Sequence, residues 1–336
     1  MPKRLVICSD GTWNKPDQST GGVPTPTNVV KLSRAVAPQD QAGTEQRVYY
    51  HDGVGARGGW WKRFTGGAFG EGIDAIIQAN YRFLIDNYDP GDELFLFGFS
   101  RGAYLVRSTV GLVRNCGLLK REHGGQLDAA YALYRRRDEA SSPRAEEAAA
   151  FRAAYAWEPR IRFIGVWDTV GSLGIPLRPL RFWTKEFYEF HDVKLSTWVD
   201  YAFQALAVDE RRKPFAPTLW QGQPGAGAQI LEQAWFPGAH SNIGGGYVDH
   251  GLSDLALLWL AEKARACGLD LDMPPGILPD ALGGIQDSMT FWYRMLGENV
   301  RQISPGSDGQ FIAPSVRARQ LGTADYRPPN VPWPPQ

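Results

Sequence analysis

Apolar residues fall into two patterns along this chain, and the two alternate. Unbroken runs such as Leu5-Val6-Ile7-Cys8, the stretch 93–97 and Ile161–Trp167 have the length and the branched or aromatic content of buried strands. Between them, apolar side chains recur at helical spacing. Over 71–88, Ile73, Ile76, Ile77, Tyr81, Leu84, Ile85 and Tyr88 form the stripe of a helix covering a sheet. The pattern predicts strands over 5–8, 47–51, 93–97, 161–167 and 229–235, and helices over 28–37, 71–88, 103–119, 128–137, 143–157 and 252–266. Strands alternating with helices need crossover connections, so the expected class is α/β with a mostly parallel central sheet flanked by helices. From 173 to 227 the periodicity weakens while prolines and aromatics accumulate, which predicts an insertion or cap on the sheet. Residues 270–336 are rich in Pro and Gly and read as an irregular C-terminal extension. No internal repeat or low-complexity linker divides the chain, so 1–336 is expected to be a single domain with these additions.

The 336 residues are 43% hydrophobic, enough for a large core, and carry 36 Lys plus Arg against 36 Asp plus Glu. That balance provides no long-range field to collect nucleic acid or an anionic membrane, so no nucleic-acid partner is expected, and lipid contact would be local, apolar and transient. Cys8, Cys116 and Cys267 are odd in number and show no paired spacing, which argues against a disulfide framework or a zinc site; Cys8 and Cys116 read as small buried hydrophobes. The apolar stretch behind Lys3 and Arg4 is too short for a signal peptide, and no apolar span reaches the ~20 residues of a membrane helix. A soluble, cytoplasmic chain is expected, with export only by a signal-independent route.

The sharpest chemical signal is Gly98-Phe99-Ser100-Arg101-Gly102, set where a strand-like run meets a helix-like one. This is the nucleophile-elbow pattern of α/β hydrolases: a tight strand-to-helix turn exposes the serine, and the glycines avoid collisions with neighbouring backbone. In that fold the serine is followed along the chain by an acid and then a histidine. Asp168 ends the strand over 161–167, at the edge where ligands bind in parallel sheets. Of the five histidines, His191, His240 and His250 follow it. His240, placed after a strand and Pro237-Gly238, is the preferred base; His250 reads as a solvated loop residue and His191 lies among charges in the insertion. The backbone N–H of Arg101, with that of Gly11 or Thr12, is expected to form the oxyanion hole. Ester hydrolysis by Ser100, His240 and Asp168 needs no cofactor or metal.

Two other motifs compete for attention. Asp10-Gly11-Thr12 is reminiscent of haloacid-dehalogenase-type phosphatases, but the place of their nucleophilic aspartate is taken by Cys8. Gly53-Val54-Gly55-Ala56-Arg57-Gly58 satisfies a dinucleotide-binding pattern, yet Gly59-Trp60-Trp61 stands where the phosphate-binding helix should begin. The glycine-rich loop over 53–72 reads instead as a rim, with Trp60 and Trp61 as candidate contacts for an apolar substrate or as packed core.

Five ordered motifs together resemble a known family, the Tle-type phospholipase effector catalytic domains of type VI secretion and their relatives. They are Asp10 to Asn14, Asp52 to Gly55, Pro90-Gly91-Asp92 running into the elbow, Val166 to Gly171, and Gly238 to Tyr247, within roughly residues 3 to 265. The resemblance implies an α/β-hydrolase core, Ser100, Asp168 and His240 as triad, and an esterase or phospholipase acting on a lipid or other carboxylic ester. The segment Ala207 to Arg212 also looks like a family segment, without a role that the sequence defines. Asp209 is the alternative acid. Acyl transfer to an alcohol, a small-ester esterase and a non-catalytic binding module on the same fold are the rival readings.

Overall fold

The computed structural model describes residues 2–11, 14–53, 68–136, 138–170 and 193–333. Its central sheet consists of β1 (Arg4–Ser9), β2 (Gln46–His51), β3 (Glu93–Phe99), β4 (Ile161–Trp167), β5 (Val199–Ala207), β6 (Ile230–Phe236) and β7 (Gln310–Ile312). The spatial order is β2-β1-β3-β4-β5-β6-β7, and every neighbouring pair is parallel. Strand order reverses between β1 and β3. Open parallel sheets bind ligands outside the carboxyl ends of their strands at such a switch point, so the turns at Asp10 and Ser100 flank the crevice.

Alternation along each strand feeds two cores. Leu5 and Ile7 of β1 with Leu94 and Leu96 of β3 face one side, where the stripe of α2 (Ala68–Asn87) and the elbow helix α3 (Arg101–Cys116) cover them. The helix α1 (Asn28–Ala35) lies on the opposite side, over Val6, Cys8, Phe95 and Phe97. Each fully buried Leu or Phe contributes ~1.5–3 kcal/mol, so a one-residue slip of either strand, which would exchange the faces, is strongly disfavoured. Two helices, α4 (Leu127–Arg135) and α5 (Glu146–Tyr155), pack beyond α3. The short α6 (His240–Gly244) follows β6, and α7 (Gly251–Ala266) places Leu257, Leu260, Ala261 and Ala264 on the Phe95 side. All three cysteines are free and buried.

Two expectations need correction. The range 173–227 is not simply an insertion: β5 lies inside it and forms a central strand. Its sequence, VDYAFQALA, hides the strand because small alanines and the buried Gln204 break the apolar run; Gln204 is accommodated by a bond from Nε2 to the Thr218 carbonyl at 3.3 Å. Residues 173–192 lie outside the described residues. The extension after 270 is likewise not wholly irregular. It supplies edge strand β7, the helices α8 (Phe291–Leu296) and α9 (Pro314–Gly322), and part of a third apolar cluster in which Val316, Tyr326 and Val331 meet Leu206 and Trp235. A three-residue edge strand is too short for its periodicity to stand out. Among the described residues no helix is long and apolar enough to cross a membrane.

Candidate active site

Ser100 lies between β3 and α3 with φ 57° and ψ −118°, a backbone conformation that costs a non-glycine residue ~1–3 kcal/mol. Both flanking glycines are sterically required. A Cβ on Gly98 would come within 2.5 Å of the Gly102 carbonyl oxygen, and one on Gly102 within 2.0 Å of the Ser9 carbonyl oxygen. Serine is thereby pinned at the crevice, with its N–H donating to the Trp167 carbonyl at 3.0 Å.

Three strand ends bring the preferred residues together. Ser100 Oγ lies 2.8 Å from His240 Nε2, and His240 Nδ1 lies 2.6 Å from Asp168 Oδ2. Asp168 is fully buried and follows β4 with φ 40°. The imidazole is held between aromatic rings, with centroids 4.7 Å from Phe99 and 5.0 Å from Phe215. Gly244 makes room for the first of these, since a Cβ there would lie 2.1 Å from the Phe99 ring. Burial lowers the His240 pKa, outweighing the raising effects of its hydrogen bond to Asp168 and of the Asp168 and Glu210 charges. A neutral imidazole at neutral pH is the form that accepts a proton.

Asp168 has a partner that sequence reasoning missed. Arg301, itself buried, donates from Nη1 to Oδ1 at 2.6 Å and from Nη2 to Oδ2 at 3.0 Å. The same guanidinium donates to the carbonyls of Ala207 at 2.9 Å and Phe215 at 2.7 Å, and the Ala207 N–H meets Oδ1 at 3.0 Å. Burial pushes this carboxyl up, but the Arg301 charge and the hydrogen bonds from His240 and Arg301 hold it below the usual carboxylate range. No local signal marks Arg301, which sits between β6 and β7 in a polar stretch far along the chain.

The segment Asp209 to Arg212 now has a structural role. Asp209 Oδ2 accepts the Gly238 N–H at 2.6 Å and the Tyr326 hydroxyl at 2.8 Å. Glu210 Oε2 accepts the His240 N–H at 3.2 Å, and Arg212 holds both Glu210 oxygens at 2.9 and 2.8 Å. Two acids after β5 thus clamp the backbone that carries the imidazole. Asp209 makes no bond to the His240 ring. A pair of acids following a strand was legible only if β5 was recognised.

The other candidates separate. His250 precedes α7 and pairs through Nδ1 with Asp254 Oδ2 at 2.6 Å, while Asp254 also pairs with Lys31 at 2.6 Å, so His250 belongs to a structural network. Asp10 is buried and accepts from Gly11 N at 2.7 Å, Asn14 Nδ2 at 3.2 Å, Thr27 Oγ1 at 2.6 Å and Tyr50 Oη at 3.0 Å. Burial pushes its pKa up to about 6 against those bonds. The Gly11 N–H is therefore directed at a carboxylate, a contact that competes with its expected oxyanion role. Arg101 opens α3, in the turn where backbone N–H groups have no acceptor within their own helix. Thr12, Trp60, Trp61, His191 and the glycine motif beyond Gly53 lie outside the described residues. No group of three or more His, Cys, Asp or Glu among the described residues is placed to hold a metal ion.

Comparison with known proteins adds a family. The model described as T6SS, phospholipase effector Tle1-like, catalytic domain matches residues 3–263. An uncharacterized protein of Saccharomyces cerevisiae is 27% identical over 245 residues, 66% of this chain and 33% of that protein. The chain thus spans about a third of that relative's length. Among solved structures, it is similar to an uncharacterized protein from Pseudomonas aeruginosa with TM-score 0.49 and 17% identity, over 87% of this chain and 48% of that one. The Tle1 effector bound to the VgrG spike of the Type 6 secretion system has TM-score 0.42 and 19% identity, over 73% of this chain and 51% of that one. A thermophilic esterase from the Planctomycetes species Thermogutta terrifontis has TM-score 0.40 and 14% identity, over 82% of this chain and 84% of that one.

Proposed function

The chain belongs to the Tle1-like phospholipase effector catalytic-domain family of type VI secretion, and on that premise we propose that it is a serine hydrolase cleaving a carboxylic ester of a lipid. The observation carrying this reading is the continuous relay of Ser100 Oγ, His240 and Asp168 at 2.8 and 2.6 Å, beginning at a strained strand-to-helix turn. In the first step Ser100 Oγ attacks the ester carbonyl carbon while His240 Nε2 takes the hydroxyl proton. The tetrahedral oxyanion is held by the Arg101 N–H and a second donor from the Asp10 loop, for which Thr12 is the better candidate given the Gly11 contact with Asp10. Collapse expels the alcohol, which receives the proton from His240. Water, deprotonated by the same imidazole, then attacks the acyl-serine, and collapse releases the fatty acid as His240 returns the proton to Ser100 Oγ. Asp168 holds the Nδ1 proton and stabilises the imidazolium formed in each step, while Arg301 and the Glu210 clamp hold the acid and the imidazole in register.

The test begins with a fluorophosphonate probe and peptide mapping. Labelling of Ser100 is expected, together with loss of ester turnover by orders of magnitude in Ser100→Ala, and an adduct on a different serine overturns the assignment. Phospholipid vesicles compared with short acyl esters then define the substrate. Turnover of short esters alone leaves a small-ester esterase, and product transfer to an added alcohol identifies an acyltransferase. Export by the secretion system would fit the family and calls for its own assay in cells.

A further inference from the structure

Beyond the elbow, one face of α3 opens on a cavity of about 490 Å³ that none of Ser100, Asp168 and His240 lines. Among the described residues five cations, Arg107, Arg114, Arg136, Arg144 and Lys194, line it, against the single carboxylate of Asp138. The chain as a whole has equal numbers of acidic and basic residues, so this excess is local. Asp138 is already committed, with Arg136 donating to its two oxygens at 3.0 and 3.1 Å and also reaching Glu147 at 2.5 Å. Among the described residues, no carboxylate makes a salt bridge with Arg114 or Arg144. Aromatic rings orient two of the guanidinium groups instead: Arg114 lies 4.6 Å from the centroid of Trp198, and Arg107 lies 4.6 Å from that of Trp220 while donating to the Thr218 carbonyl at 2.6 Å. Asn115, which is 4% exposed and also lines the cavity, makes no side-chain hydrogen bond among the described residues.

Cations gathered this closely oppose one another, and Arg114 registers it: burial and then the Arg152 and Arg144 charges pull its pKa down, against the raising effect of Glu158. An anion entering the cavity reverses that repulsion, and guanidinium groups bind phosphate oxygens with paired, charge-assisted hydrogen bonds. A phosphate monoester carries close to two negative charges at neutral pH, which suits several cations better than a carboxylate does. At roughly 30 Å³ for each water, the cavity has room for about sixteen waters, more than inorganic phosphate fills. We propose that this cavity binds a phosphate ester, with Arg114 and Arg144 taking its oxygens and Arg107 and Lys194 adding positive charge. The ester is either a lipid headgroup or a soluble metabolite-sized molecule, and the proposal is independent of the role given to Ser100.

Two probes separate the sources: glycerol 3-phosphate by titration calorimetry, and phosphatidylcholine vesicles with or without phosphatidic acid by co-sedimentation. Binding of either, weakened at least about tenfold in Arg114→Gln/Arg144→Gln, is expected, since a lost hydrogen bond to a charged group costs ~1.5–3 kcal/mol. Turnover of a neutral short-chain ester should be unchanged in that variant, so failure here is read separately from failure of the hydrolase reading. The single variant Arg144→Gln, at an exposed position, must also weaken binding and guards against misfolding of the double variant. Response to glycerol 3-phosphate identifies a soluble ligand, and response only to vesicles containing phosphatidic acid identifies a headgroup. No binding by the native protein, or binding equal in native and variants, overturns the proposal.

Discussion

Replacing Arg301 by Met tests how the buried charge behind Asp168 governs the histidine. The substitution removes two charge-assisted bonds to the carboxylate and leaves the carbonyls of Ala207 and Phe215 without that donor. Breaking a buried pair by deleting one partner costs about 3–5 kcal/mol, which urea denaturation measures. The kinetic effect has a definite sign. Arg301 Nη2 and His240 Nδ1 share the acceptor Oδ2 at 3.0 and 2.6 Å, so these nitrogens are no more than about 5.6 Å apart. At an effective dielectric of about 20, two unit charges at that separation repel by roughly 3 kcal/mol, which corresponds to about two pH units. With the guanidinium gone, the imidazolium is opposed less and the Asp168 charge acts on it undiluted, so the His240 pKa rises. The proposed mechanism requires neutral His240, hence the acidic limb of kcat/KM against pH for a neutral ester should move upward by about 1–2 pH units. Arg301→Lys retains the charge but not the fork, and should keep the limb near its native position with a smaller loss of stability. A folded Arg301→Met protein whose limb stays in place or moves down refutes the coupling.

His240→Ala should cost about as much turnover as Ser100→Ala, because members of a relay act as a unit, whereas His250→Ala should retain turnover and lose only stability from the Asp254 network; steady-state kinetics on both variants checks the assignment. Gly102→Ala should unfold or destabilise the protein by more than about 4 kcal/mol, given the 2.0 Å approach of its Cβ to the Ser9 carbonyl oxygen, while Gly125→Ala, with no atom within 4 Å, should be near neutral by thermal denaturation. Glu210→Ala releases the His240 N–H and should lower kcat by on the order of 10–100-fold with KM little changed, since small displacements of a reacting group carry penalties of that size.

Local patterning determined a good deal of this protein. The runs at 5–8, 93–97 and 161–167 are strands because their residues are apolar on both faces of a covered sheet, and the stripe from Ile73 to Ile85 is a helix because its spacing places it on one side. The meeting of Ser100, Asp168 and His240 was legible because each follows a strand, and chain order in a parallel sheet carries strand ends to one edge. What tertiary structure alone decided are the partners. Arg301 reaches Asp168 from 133 residues away along the chain, and no periodicity or motif encodes a contact made by an irregular segment folding back onto the site. β5 escaped detection because its alanines are only weakly apolar and the polar Gln204 interrupts the run, although neighbouring strands bury them all, and with it went the meaning of Asp209 and Glu210. The Gly11 N–H illustrates the same division: the loop's place at the crevice follows from strand order, but the direction of one N–H is set by which acceptor lies nearest, and that acceptor is the buried carboxylate of Asp10.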